Sequence, residues 1–303
     1  MKTEVSIVIP VFNKADYLAD CLDSVLGQTF RDFEVICVDD ASEDDCATIL
    51  QDYEKRDHRV KVISNRKNLG PAESRNKGIE AANGNFLRFL DADDLLPENS
   101  TEVLFSRAVK DDADLVRGSL ALFRGNDLSA YQQVISVPDK TRTQLPDEET
   151  LWIPWWHTSY LISAKMVRRN HLRYPKLVRG EDPVFLASVL VSAAYISLVE
   201  DIVYLYRKYK KDSGSAGSTM KHVVDTLRHA AMTKRLFMDH CPDCWQHGYG
   251  PYLLDDVLGL VGRFKYSSDQ KRIIDIELKN IWGEDALTAR KEIFDQDPVH
   301  YSD

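Results

Sequence analysis

Three carboxylates, Asp91, Asp93 and Asp94, stand within four positions at the end of the apolar run Phe86-Leu87-Arg88-Phe89-Leu90. The run has the composition of a buried strand. Acids so close together repel, and they are costly to bury unless something positive compensates. A hard divalent cation, Mg²⁺ or Mn²⁺, would do so, because it takes oxygen ligands and shares them with substrate phosphates. The competing explanation is a solvated acidic turn, with Asp94 or Asn99 capping the next helix. A second acidic pair, Asp39-Asp40, ends another apolar run, Phe33-Glu34-Val35-Ile36-Cys37-Val38. Two acidic clusters at two strand ends favour a ligand site over two unrelated turns.

The elements that must position these acids follow from periodicity. Val5-Ser6-Ile7-Val8-Ile9-Pro10-Val11 is short and β-branched, as a central parallel strand is. Asn13 is placed to cap a helix whose apolar face is Leu18, Cys21, Leu22, Val25 and Leu26. The 33–38 strand comes next, then a helix capped by Ser42 with Asp45 three residues on, then the strand Val60-Lys61-Val62-Ile63. Alternating strands and helices predict an α/β chain with a mainly parallel sheet, helices on both faces and right-handed crossovers. In such sheets ligands bind beyond the carboxyl ends of the strands, which is where both acidic clusters fall.

Further along, Asn68-Leu69-Gly70-Pro71 is a turn that opens a helix bearing Arg75 and Asn76. Pro97 starts a helix to about residue 110, and residues 114–123 form a strand. The pattern then dissolves over 124–149, which reads as a mobile loop. An aromatic patch, Trp152-Ile153-Pro154-Trp155-Trp156-His157, precedes a helical stretch near 165–170. Gly180-Glu181-Asp182-Pro183 opens another helix, with the proline in its first turn. Strands are predicted at 195–199 and 202–206, a basic loop at 207–219, and helices near 221–240, 250–266, 269–281 and 285–295. The boundaries are 1–219 for the α/β domain, in halves 1–123 and 124–219, and 220–303 for a helical subdomain.

Bulk properties narrow the function classes. At 303 residues with 44% hydrophobic content the chain can bury a full core. A net charge of −9 argues against nonspecific nucleic-acid binding. Five scattered cysteines and no visible leader after Met1-Lys2 lead to the expectation of a reducing, cytoplasmic setting. No apolar run approaches the roughly 20 residues that span a bilayer. No G-x-G-x-x-G turn follows the first strand, which disfavours a dinucleotide-dependent oxidoreductase. Residues 214–219 lack the lysine of a phosphate-binding P-loop. His240, Cys241, Cys244 and His247 have a zinc-like spacing, but with no second cluster a helix end and turn explain them more simply.

Together the segments Ile9-Pro10-Val11-Phe12-Asn13, Val38-Asp39-Asp40-Ala41-Ser42, Asn68-Leu69-Gly70-Pro71 with Arg75-Asn76, Leu90-Asp91-Ala92-Asp93-Asp94 and Gly180-Glu181-Asp182-Pro183-Val184-Phe185 resemble the inverting family 2 glycosyltransferases. The likeness covers residues 4–219 and has no assignable counterpart beyond 220. It implies a GT-A fold, a nucleotide-diphosphate sugar donor with UDP the expected nucleotide, Mn²⁺ or Mg²⁺, and single displacement with inversion onto a glycan or lipid-linked acceptor. By the same resemblance Pro10, Phe12, Asn13, Asp39 and Asp40 would grip the nucleotide, with Asp39 accepting from a uracil-type imide. Asp91, Asp93 and Asp94 would serve the metal, Asp91 through water or on the ribose. Arg75 would steady that cluster or the phosphates, and Arg207 would reach the diphosphate from a loop closing as a lid. Asp182 would be the base for the acceptor hydroxyl, with Glu181 beside it. Two adjacent carboxylates in a half-enclosed site raise one pKa towards neutrality. Trp155, Trp156 and His157 suit an acceptor platform. The 220–303 helices could dimerise, touch a membrane surface or shape the acceptor groove. The alternative function is an inactive nucleotide-sugar-binding partner protein.

Overall fold

The computed structural model describes residues 3–125, 127–154, 156–208, 220–261, 266–284 and 286–287. Among these, nine strands form one sheet in the order β3-β2-β1-β4-β8-β5-β9-β7, with β6 paired to β5. β1 (Val5–Val11), β2 (Phe33–Asp39), β3 (Val60–Ser64) and β4 (Phe86–Phe89) are mutually parallel, and their mostly apolar sequences suit a sheet covered on both faces. β8 (Tyr160–Ser163) runs antiparallel between β4 and β5 (Leu115–Arg124), and β9 (Ile196–Lys208) is parallel to β5. β4, β5 and β9 therefore point the same way as β1 and β2. Their carboxyl ends make one rim, where an isolated bridge between Leu95 and Leu205 joins the chain after β4 to the end of β9.

Helices α1 (Ala15–Leu26), α2 (Cys46–Arg56) and α4 (Ser100–Asp111) cover one face; α3 (Pro71–Ala81), α5 (Ala164–Arg169) and α6 (Glu181–Ser192) cover the other. Each fully buried Leu, Val or Phe contributes about 1.5–3 kcal/mol. The second face does not end with α6. Its apolar core continues through Phe185 and Leu190 into Val223, Phe237, Tyr249, Leu253, Val257, Ile274 and Leu278. These last belong to α7 (Met220–His240), a π-helical turn at 244–249, α8 (Gly250–Val261) and α9 (Ser268–Trp282).

Several local expectations are corrected. Asn13 does not cap α1: it adopts φ 52°, its Oδ1 accepts from the Glu43 N–H at 2.8 Å, and its own N–H donates to Ser42 Oγ at 3.1 Å. Asn13 thus clamps together the loops after β1 and β2. Ser42 does not cap α2 either. Asp44 serves both helices, accepting from Ala15 N–H at 2.9 Å and Cys46 N–H at 3.1 Å. Residues 124–149 contain β6 (Asp127–Ile135) and β7 (Lys140–Thr143) rather than a continuous loop. β6 pairs only with β5 and exposes residues 131–134, so its sequence lacks the apolar alternation of a half-buried strand. The two strands expected at 195–206 are one, interrupted where exposed Glu200 and Asp201 bulge out opposite Gly118 and Ser119. Pro97 lies three residues before α4, whose cap position is Asn99. Cys241 and Cys244 are joined by a disulfide, and Cys21, Cys37 and Cys46 are free and buried. Joined to each other, the two cysteines are not set as zinc ligands. The helix expected at 285–295 falls almost wholly outside the described residues.

The helical tail grips the α/β part just before α6. Val178 N–H donates to Asp225 of α7 at 2.9 Å, and Arg179 pairs with Asp256 of α8 at 2.9 Å. Gly180 has φ 87°, and a Cβ there would lie 2.3 Å from His229 Nδ1. Backbone conformation and contact both demand glycine. Gly180→Ala is expected to cost about 2–4 kcal/mol in denaturant melts, and adding His229→Ala should return the steric part of the loss. A single-variant cost under about 1 kcal/mol would contradict the tight approach.

Candidate active site

The site begins with Asp40, at the end of β2. Its carboxylate accepts from Asn65 Nδ2 at 2.7 Å, Leu69 N–H at 2.9 Å and Gly70 N–H at 2.7 Å. These bonds fix the turn that launches α3, with Pro71 in its first turn and Gly70 at φ 89°. One turn later α3 presents Arg75, which is only 4% exposed. Its Nη2 donates to Asp91 Oδ1 at 2.8 Å and its Nη1 to Asp182 Oδ1 at 2.8 Å; Glu181 lies 3.7 Å away. The guanidinium also lies over the Tyr174 ring at 5.4 Å. Tyr174 is held by Asn76, the next residue of α3, through a reciprocal pair of bonds at 2.9 and 3.0 Å between its side-chain amide and the Tyr174 backbone.

Two cavities open on either side of this bridge and share Asp91. One, of about 290 Å³, is lined by Pro10, Phe12, Lys14, Asp40, Gly70, Arg75 and Asp93 among others. The other, of about 460 Å³, is lined by Trp156, His157, Glu181, Asp182, Tyr206 and, from the helical tail, His222, His229 and Asp256. Trp156 and Tyr206 meet edge to face at 5.0 Å. His157 is buried against Phe89 and Tyr174, and its Nδ1 is 3.5 Å from Asp182 Oδ2. Burial pulls the His157 pKa down, outweighing the nearby Asp182 charge, so the imidazole is neutral and can donate to that carboxylate. Burial, then the Asp182 charge, push Glu181 up to about 7 despite the opposing pull of Arg75.

The structure divides the acids after β4. Asp91 faces both cavities. Asp93 faces the smaller one, where its Oδ2 pairs with Lys14 Nζ at 2.5 Å. Asp94 is 1% exposed, accepts from Tyr204 Oη at 2.6 Å and Arg207 N–H at 2.7 Å, and is pushed well above the usual carboxylate range by burial and by Asp91 and Asp93. It braces the cluster from beneath instead of offering oxygens to a cation. Arg207 is likewise not a lid residue. It is 2% exposed at the end of β9, donates to the carbonyls of Asp93 at 2.7 Å and Gly125 at 2.5 Å, and lies over the rings of Tyr17 and Phe123. Lys210, Lys211 and Trp155 lie outside the described residues. Asp39 accepts from Ser42 N–H at 3.1 Å and, like Asn13, does not line the smaller cavity; Asp40 does. Lys14, Tyr174 and Tyr204 carry no motif that would single them out. Their roles come from contacts 79, 98 and 110 residues away in sequence.

A parallel half-sheet with acids at its rim and a cavity on either side of Asp91 is the arrangement that the GT-A fold presents. Residues 6–171 match the model for glycosyl transferase family 2. The chain belongs to that family. It is 26% identical to the glycosyltransferase GlyG of Streptococcus pneumoniae serotype 4, over 91% of this chain and 93% of that one. It is 31% identical to the uncharacterized glycosyltransferase EpsJ of Bacillus subtilis, over 67% of this chain and 61% of that protein. In fold it is similar to S. aureus TarS 1–349, solved with UDP-GlcNAc, at a TM-score of 0.71 and 17% identity, covering 99% and 93% of the two chains. A mannosyltransferase of Pyrobaculum calidifontis, solved with GDP-Man and Mn²⁺, superposes at a TM-score of 0.57 and 15% identity, over 98% and 89%.

Two outcomes test the bridge. Arg75→Met leaves Asp91, Glu181 and Asp182 without their shared cation and is expected to cost about 3–5 kcal/mol in denaturant melts. Glu181→Gln tests the raised pKa. Near pH 4 both folded and unfolded chains hold the proton, so wild type and variant should differ little. As pH rises from about 4.5 to 7 the unfolded chain ionises first and the wild type loses relative stability. Above about 7 the variant should be more stable by up to about 3 kcal/mol, and a difference that does not change with pH would refute the assignment.

Proposed function

We propose that this glycosyltransferase moves a sugar from a nucleotide diphosphate, with UDP the nucleotide, to a hydroxyl of a glycan or lipid-linked acceptor by single displacement with inversion. The observation that carries the reading is the Arg75 bridge. It holds Asp91, shared by both cavities, and Asp182, which lines the larger one, around one buried guanidinium. UDP is taken from the TarS complex, whose fold this chain shares.

In this reading Pro10 and Phe12, the latter 41% exposed, pack against the nucleobase, and the turn held by Asp40 walls the nucleoside. Asp91 and Asp93 fit a divalent cation that takes its remaining ligands from the diphosphate, since Mg²⁺-type sites commonly use one or two carboxylates plus phosphates. Among the described residues no group of three or more His, Cys, Asp or Glu is set to hold a metal ion. When bound, the cation supplies Lewis-acid stabilisation of the leaving diphosphate oxygens. Asp182, oriented by Arg75 on one oxygen and His157 on the other, receives the acceptor hydroxyl's proton as its oxygen attacks the anomeric carbon and the bond to the diphosphate breaks. Trp156 and Tyr206 offer ring surfaces to the acceptor. Among the described residues no helix is long and apolar enough to cross a membrane. A cytoplasmic enzyme working at a membrane face, or pairing through the exposed Ile273 and Ile276 of α9, belongs to the same proposal.

The test is a pair of variants. Asp93→Asn should abolish Mn²⁺-dependent UDP binding in calorimetry. Asp182→Asn should keep UDP binding while turnover of the UDP-sugar falls by roughly 10²–10⁴-fold. Full turnover in Asp182→Asn would remove it as the base, and tight UDP binding in excess chelator would remove the cation.

A further inference from the structure

The two arginines that the sequence offers to the diphosphate are both committed elsewhere. Arg75 has its prongs on Asp91 and Asp182, and Arg207 is buried against main-chain carbonyls. Lys14 is differently placed. It lines the donor-side cavity beside Asp93, and its Nζ lies 2.5 Å from Asp93 Oδ2, with the two side chains 35% and 16% exposed.

The main chain around the pair is fixed on both sides. Lys14 N–H donates to Cys46 Sγ at 3.2 Å, and its carbonyl accepts from the N–H groups of Tyr17 and Leu18 at 3.0 and 2.9 Å. The Asp93 carbonyl accepts from Arg207 Nε at 2.7 Å. An exchange of partners by Lys14 is then a rotation of its side-chain stem, its own main chain staying held. A lysine ammonium is suited to such a rotation, being a compact charge on a flexible four-carbon stem that binds phosphate without a fixed fork geometry.

We propose that Lys14 is a donor-binding residue that exchanges partners: its ammonium competes with the divalent cation for Asp93 and, once displaced, binds the donor's phosphate. The proposal rests on the reading of Asp93 as the cation's ligand. A cation on Asp93 repels the neighbouring ammonium, and the diphosphate arriving in the same cavity is the anion within reach of the displaced stem. Lys14 then has two opposite effects: it weakens binding of the metal alone and strengthens binding of the nucleotide.

That opposition is the quantity the experiment reads. Mn²⁺ binding is followed alone by the electron paramagnetic resonance of the free ion, and UDP binding by calorimetry in saturating Mn²⁺, for wild type, Lys14→Met and Asp93→Asn. Lys14→Met is expected to bind Mn²⁺ alone about threefold to tenfold more tightly, and UDP about tenfold more weakly, with its melting temperature near that of wild type. Parallel weakening of both would make Lys14 a prop for Asp93 and overturn the exchange; so would two unchanged constants, or a change in only one. If Asp93→Asn binds Mn²⁺ as wild type does, the metal reading falls and the exchange falls with it. If Asp93→Asn loses Mn²⁺ but Lys14→Met alters neither constant, only the role of Lys14 is lost.

Discussion

Everything at the rim depends on one buried guanidinium. Stripping Arg75 of water costs several kcal/mol, and the carboxylates of Asp91 and Asp182 compensate from opposite sides. With both prongs used and the plane resting on Tyr174, its geometry is fixed in a way an ammonium could not reproduce. The consequence runs both ways. The acids determine where α3 can sit, and α3, anchored by Asp40 through the 65–70 turn, determines where the acids sit. Asp40 therefore governs the site from a distance, although its oxygens are occupied by backbone and amide donors.

The same economy of charge explains the split among the acids after β4. Three neighbouring carboxylates repel one another, and the fold gives each a different partner. It turns Asp94 inward onto Tyr204 and Arg207, where burial favours the neutral form, leaves Asp93 beside Lys14, and gives Asp91 to Arg75. The result is one buried acid and two that line the cavities.

How much of this is legible in the sequence depends on the range of the interaction. The β1, β2, β3 and β4 strands, the helices facing them and the rim position of both acidic clusters follow from local periodicity, because a buried parallel strand writes its burial into consecutive residues. β6 reads as loop because an outer strand with an exposed face carries polar residues as a loop does. The division of labour among Asp91, Asp93 and Asp94 cannot be read locally, since it is decided by Arg75, Lys14 and the β9 residues Tyr204 and Arg207. Composition alone assigns Arg207 to a basic loop. The extra length of β9 instead draws it under the acids, where the Leu95–Leu205 bridge sets its register. Asp39 and Asp40 cannot be told apart by type; only the turn that Asp40 organises separates them.

The helical tail has no reading in sequence beyond its own periodicity, yet it bears on the chemistry. Val178, Arg179 and Gly180 are each engaged by α7 or α8, and the next two residues are Glu181 and Asp182. A displacement of those helices would shift the start of α6, and with it the carboxylate that Arg75 must also reach. The family match ends at residue 171, before any of these groups. Every residue that lines the smaller cavity lies in the matched segment. The larger cavity joins Asp91, Trp156 and His157 of the matched segment to later residues, Glu181, Asp182, His222, His229 and Asp256 among them. In such a fold a change in α7 or α8 reaches the larger cavity through two fixed points, the approach of Gly180 to His229 and the hold of Arg75 on Asp182.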